Sequence, residues 1–81
     1  SPEIMIGVDK SANISRLADG CPDISLFTIN ESDVKRWQKI NDPKREPTQD
    51  TSSRCAYILE IDHFSKFSVG GVKPSTSQSL L

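Results

Sequence analysis

Residues 54–69 read RCAYILEIDHFSKFSV, and their alternation decides the fold class. The odd positions carry Cys55, Tyr57, Leu59, Ile61, His63, Ser65, Phe67 and Val69, whereas the even ones include Ala56, Glu60, Asp62, Lys66 and Ser68. A period of two is the signature of a strand with one buried face. The pattern predicts a long strand with its odd face inward, closed by Gly70-Gly71. It places His63 and Ser65 on that inward face and Phe64 on the other, unless a bulge shifts the register.

Two more strands follow from the same reading. In EIMIGV, residues 3–8, Ile4, Ile6 and Val8 share a face, and ISLFTI, residues 24–29, is β-branched and aromatic between Asp23 and Asn30. ISRLADG, residues 14–20, fits a strand or a helical turn equally well, and Gly20-Cys21-Pro22-Asp23 is loop punctuation. NESDVKRWQKI, residues 30–40, has two readings. One is a short capped helix with Val34, Trp37 and Ile40 at a spacing of three. The other is a turn at NESD followed by a strand. Residues 41–53, NDPKREPTQDTSS, hold two prolines and no apolar residue and are expected to form a mobile loop.

Strands joined by polar turns, with no long helix, predict an all-β chain: an antiparallel β-sandwich. Four or so strands are few for a closed sandwich. Its edges are therefore expected to pair with sequence outside this chain or with another chain. The expected organisation is one small β domain over residues 1–71, the C-terminal part of a larger one or a unit by itself, and a flexible tail or linker over 72–81. The start at Ser1, without a signal peptide, reads as a piece of a longer protein.

Composition narrows the function. The chain has 81 residues, net charge −1 and 35% apolar residues against a usual ~45–50%. A domain of this size buries only about 60% of the surface its unfolded chain exposes, so its stability margin is thin. The densest basic stretch, DPKREP, is short and flanked by acids and prolines. It is expected to be a solvated loop rather than a grip on a sulfated glycan, and no basic stripe for nucleic acid is present. No apolar run is long enough to insert in a membrane.

Cys21 and Cys55 allow one disulfide, which would add about 3–4 kcal/mol by closing a ~35-residue loop; two buried free thiols in a cytosolic protein are the alternative. Two cysteines and His63 are too few ligands for a metal, and the aspartates show no calcium-loop spacing. No metal and no cofactor is therefore expected. Asn13-Ile14-Ser15 and Asn30-Glu31-Ser32 are glycan acceptor triplets, which favour a secreted chain. Trp37, Tyr57 and Phe67 are the expected core anchors, with Trp37 serving as a ligand platform only in the less favoured reading.

His63-Phe64-Ser65 supplies the residue types for peptide self-cleavage. A serine hydroxyl attacks the carbonyl before it, an imidazole takes the proton, and water opens the ester. The simpler reading is that His63 and Ser65 hydrogen-bond inside the sandwich and pin its last strand.

A Trp strand followed, after a loop, by an alternating strand ending HFSKFSV resembles the last strands of the ZU-type domain. It is also similar to the function-to-find domain and the autoproteolysis-inducing domain of adhesion receptors. The likeness covers residues 24–69, with Trp37, His63, Phe64, Ser65 and Phe67 as anchors. It implies a turn and strand over residues 30–40. Cleaving relatives cut between Phe and Ser of the triplet, here Phe64 and Ser65, whereas in microbial surface proteins the triplet is structural. The resulting expectation is a non-catalytic structural or interaction module, extracellular or at the cell surface. Its partners would be other protein chains or the missing part of its parent protein. The alternatives are a self-cleaving module and a cytosolic ZU-type scaffold.

Overall fold

The structure, a computed structural model, describes residues 2–30, 36–61 and 67–74. Among the described residues there are six strands: β1 Glu3–Asp9, β2 Ile24–Asn30, β3 Arg36–Asn41, β4 Lys44–Arg45, β5 Arg54–Glu60 and β6 Phe67–Gly71. A 3₁₀ turn spans Pro47–Gln49. The strands form two antiparallel three-stranded sheets, ordered β1-β5-β4 and β3-β2-β6. The fold is all-β, and it matches a small, incomplete β-sandwich.

Register explains the core. Ile4, Ile6 and Val8 of β1 lie opposite Leu59, Tyr57 and Cys55 of β5. Ile24 and Leu26 of β2 lie opposite Gly71 and Val69 of β6. Side chains of directly paired residues share a face, so each sheet turns one apolar row inward. The rows meet in two clusters. Cys21, Ile24, Cys55 and Tyr57 form one, with Ile6, Val8, Ile14 and Leu17 packed on it. Leu26, Leu59 and Ile61 form the other, with Ile6 and Phe67 packed on it. Ile6 belongs to both and joins them.

Three expectations change here. The single strand predicted over residues 54–69 is two strands, β5 and β6, in different sheets. Cys55, Tyr57 and Leu59 keep the odd face of β5 inward and Phe67 does so in β6, although Ala56 is buried as well and Val69 is 38% exposed. Gly70 and Gly71 do not stop the strand; they are its last two residues. A Cβ on Gly71 would lie 2.7 Å from the Asp23 carbonyl oxygen and 2.7 Å from Ile14 Cδ1. Glycine is thus required for the chain after β6 to pass this close to the loop before β2. Finally, residues 41–53 are not a featureless loop. They contain β4 and the 3₁₀ turn, and β4 pairs with β5 through Lys44↔Ile58 and Arg45↔Tyr57.

The segment left open over residues 14–20 is irregular. Arg16 forms an isolated bridge to Pro22. Gly20 holds a φ of 89°, a left-handed conformation that favours glycine. The Ser15 N–H donates to the Val72 carbonyl at 2.6 Å, so the start of the expected tail is tied to the domain.

Candidate functional site

The two cysteines are joined: Cys21 and Cys55 form a disulfide with a Cα separation of 6.1 Å. It ties the irregular loop before β2 to the middle of the core. Tyr57, two residues along β5, is buried and donates from its hydroxyl to the Pro22 carbonyl. Burial pushes its phenol pKa up.

Arg45 completes this region, and sequence reading missed it. Its guanidinium donates from Nε to Asp19 Oδ2 at 2.9 Å and from Nη2 to Asp50 Oδ2 at 2.6 Å. Nη1 donates to Asp50 Oδ1 at 3.0 Å and to the Ala56 carbonyl. The guanidinium carbon stands 5.2 Å from the centre of the Tyr57 ring, a cation–π distance. Its side chain is only 13% exposed.

Both carboxylates are also held by backbone N–H groups. Cys21 N donates to Asp19 Oδ1 at 3.0 Å, and Ala56 N donates to Asp50 Oδ1 at 2.7 Å. The Cys21 N–H first, and Arg45 second, hold the Asp19 carboxyl below its ordinary value. For Asp50 the order is Arg45 first, then the Ala56 N–H. The carboxylates in turn push the Arg45 pKa further up. This is a clamp around the disulfide: a bidentate fork to Asp50, a second acid at Asp19 and a ring beneath. The only hint in the sequence is an arginine in an otherwise solvated loop, next to residues whose pairing only the folded chain defines.

Of the two cations in DPKREP, only Lys44 stands in solvent. Arg45 is consumed by the clamp, and Lys44 reaches Glu60 at 3.4 Å. Sγ atoms of Cys21 and Cys55 also lie near the Asp50 carboxylate, but sulfurs joined to each other supply no thiolate for a metal.

Other predicted site residues fall in different places. Asn13 is exposed in a bend between β1 and β2, open to a glycan. Asn30 ends β2; its side chain lies outside the described residues, as do His63, Phe64 and Ser65 in full. Phe67 begins β6 and packs, partly buried, on the Leu26 cluster.

Trp37 is not a core anchor. It is 51% exposed. Leu26 points inward on β2, and Trp37 lies opposite Ile29, three residues on and therefore on the outward face. A bulge sits just beyond: Leu26 faces Asn41 while Phe27 faces Lys39, which leaves Ile40 as the extra residue, 43% exposed. The strand predicted for this segment is present, as β3.

On the opposite side of the sandwich, β1 and β6 end their sheets. Between them lies a cleft of about 540 Å³, lined by Val8, Ile14, Ile24 and Val69 and by the charged Asp9 and Arg54. Those two form an exposed ion pair at 3.2 Å.

Comparison with known proteins found no family model, no curated protein and no solved structure that matches the chain. Among the described residues no helix is long and apolar enough to cross a membrane.

Proposed function

We propose that this chain is a non-catalytic interaction module of a secreted or cell-surface protein, an assembly or adhesion element built to meet other polypeptide. The observation that carries the reading is the openness of the sandwich. Three-stranded sheets leave edge strands on both sides, and one of them, β1, is seven residues long with an apolar centre. Natural domains cover, charge or shorten such edges unless something pairs with them.

The compartment rests on the disulfide. Bridges persist in oxidising surroundings and are rare in the cytosol. Here the bridge is buried at the centre of a small core, where a small domain gains most from a covalent tie. The exposed acceptor Asn13 fits the same address. The resemblance of the Trp strand and the HFSKFSV ending to ZU-type and related surface modules points the same way.

The test is mass spectrometry of the chain secreted from eukaryotic cells. Expected are one full-length polypeptide after denaturation, no alkylatable thiol before reduction, and a glycan at Asn13. Two free thiols in the native protein would move it to the cytosol. A split between Phe64 and Ser65, lost in both His63→Ala and Ser65→Ala, would make it a self-cleaving module instead.

A further inference from the structure

The free edge of β1 presents a specific pattern of backbone groups. The Ile61 N–H donates to the Pro2 carbonyl and the Lys10 N–H to the Ser53 carbonyl. These bonds bracket the β1–β5 ladder at even-numbered residues of the β1 segment. In an antiparallel ladder the bonded pairs alternate, so Ile4, Ile6 and Val8 bond to β5. Glu3, Met5, Gly7 and Asp9 therefore aim their N–H and C=O groups away from it, although the Asp9 carbonyl already accepts from the Ala12 N–H at 3.1 Å. Among the described residues no strand receives them. From Ile4 to Val8 this edge carries no charge and no proline, and Met5 is 52% exposed and Ile4 37%.

The side chains specify what fits there. A strand added to β1 would set three residues opposite Ile4, Ile6 and Val8, on the inward face beside the cleft between β1 and β6. Those three must be apolar. At the end of the edge Glu3 already lies opposite Glu60. Glu60 is answered by Lys44, whereas among the described residues Glu3 has no cation. At the other end stands Asp9, whose ion pair to Arg54 is exposed to water. An added strand thus meets an acid at each end of an apolar row.

A second copy of this chain is the wrong occupant. Pairing β1 with its own copy about Ile6 keeps the inward residues in register but sets Glu3 against Asp9 twice, and sliding the pair to centre on Met5 removes that clash only by setting Val8 opposite Pro2, which breaks the apolar match. Like charges directly opposite destabilise a pair of strands.

We infer that the β1 edge is a strand-addition site whose occupant is an extended segment of a different polypeptide, apolar at alternate positions and carrying a lysine or arginine at each end. The inference rests on the interaction-module reading above and names that module's partner chemistry. The segment runs antiparallel to β1. It takes backbone bonds from Met5 and Gly7, fills the cleft with its inward side chains and neutralises Glu3.

The probe is a synthetic peptide, Lys-Val-Thr-Val-Thr-Val-Lys with blocked ends, compared with the same peptide carrying Glu at both ends. Amide hydrogen exchange at Met5 and Gly7 is read by NMR on the intact, bridged chain. The Lys-ended peptide slows both amides saturably, and the Glu-ended one binds about tenfold more weakly. Glu3→Lys reverses that preference. Met5→Pro abolishes protection at Gly7 while leaving the β1–β5 ladder, because the N–H it removes points to the free edge; should it unfold, Glu3→Lys still decides. Unchanged exchange at millimolar peptide overturns the inference, as does equal binding of both peptides. Protection that rises with protein concentration alone overturns it in favour of a second copy. An intact, bridged chain that ignores the peptide fails this inference only, whereas a chain split at Phe64–Ser65 fails the module reading itself.

Discussion

Replacing Arg45 with methionine tests whether the clamp stabilises the fold. Methionine keeps much of the apolar stem and removes the guanidinium. The loss is four donated hydrogen bonds, to Asp19, twice to Asp50 and to the Ala56 carbonyl, and the cation over Tyr57. Hydrogen bonds to charged groups contribute about 1.5–3 kcal/mol each in isolation, but they do not add within one network, and burying the guanidinium offsets part of the gain. Both acids also keep a backbone N–H partner. A net loss of about 2–3 kcal/mol at pH 7 follows. A domain of 81 residues has roughly 4–12 kcal/mol in all, so the change is large. With a urea slope near 1 kcal/mol/M for a small protein, the unfolding midpoint should fall by about 2–3 M.

The same experiment run against pH checks the electrostatic origin. Asp19 and Asp50 have depressed pKa values in the folded chain. Their contribution is therefore present above the unfolded aspartate pKa, about 3.9, and is lost as pH falls through the folded values. The wild type should weaken from about pH 5 downward, and Arg45→Met should weaken less. The gap between them should narrow in acid, mostly through Asp50, whose largest partner is Arg45. Asp19 keeps the Cys21 N–H and so part of its shift. Arg45→Lys should recover less than half the loss, since an ammonium cannot reproduce the fork. A midpoint change below about 0.5 M at pH 7 would refute the argument, and so would a gap constant from neutral to acid pH.

Three further outcomes follow from the same structure. Cys55→Ala should cost about 4 kcal/mol by opening a bridge between residues 34 apart; a loss under about 0.5 kcal/mol in urea titration, or no match with the reduced wild type, would deny the bridge a stabilising role. Gly71→Ala should cost about 1–3 kcal/mol, because the new methyl meets the fixed Asp23 carbonyl, and an unchanged thermal midpoint would contradict that close approach. Trp37→Thr should cost only about 1 kcal/mol, the scale of a cross-strand pair on an outward face, whereas a loss of about 3–5 kcal/mol would restore Trp37 to the core.

The all-β class and the inward rows Ile4-Ile6-Val8 and Cys55-Tyr57-Leu59-Ile61 were legible without coordinates, since a period of two needs only neighbouring residues to express it. The disulfide was legible as an option, because two cysteines in a small chain leave one pairing. The division of residues 54–69 between two sheets was not, because alternation is the same whether a strand continues or crosses over. Nor was the side of the sheet on which Trp37 stands. A single-residue bulge at Ile40 and the pairing with β2 set that side, and both depend on a partner strand. Arg45 shows the limit most clearly: its acids sit 26 residues before it and five after it, and its carbonyl and ring lie on another strand. Local sequence determines which way a side chain alternates, because that is a property of one strand's backbone. Tertiary structure alone decides which charges meet, because a charge is stabilised by whatever the rest of the chain brings within hydrogen-bond distance.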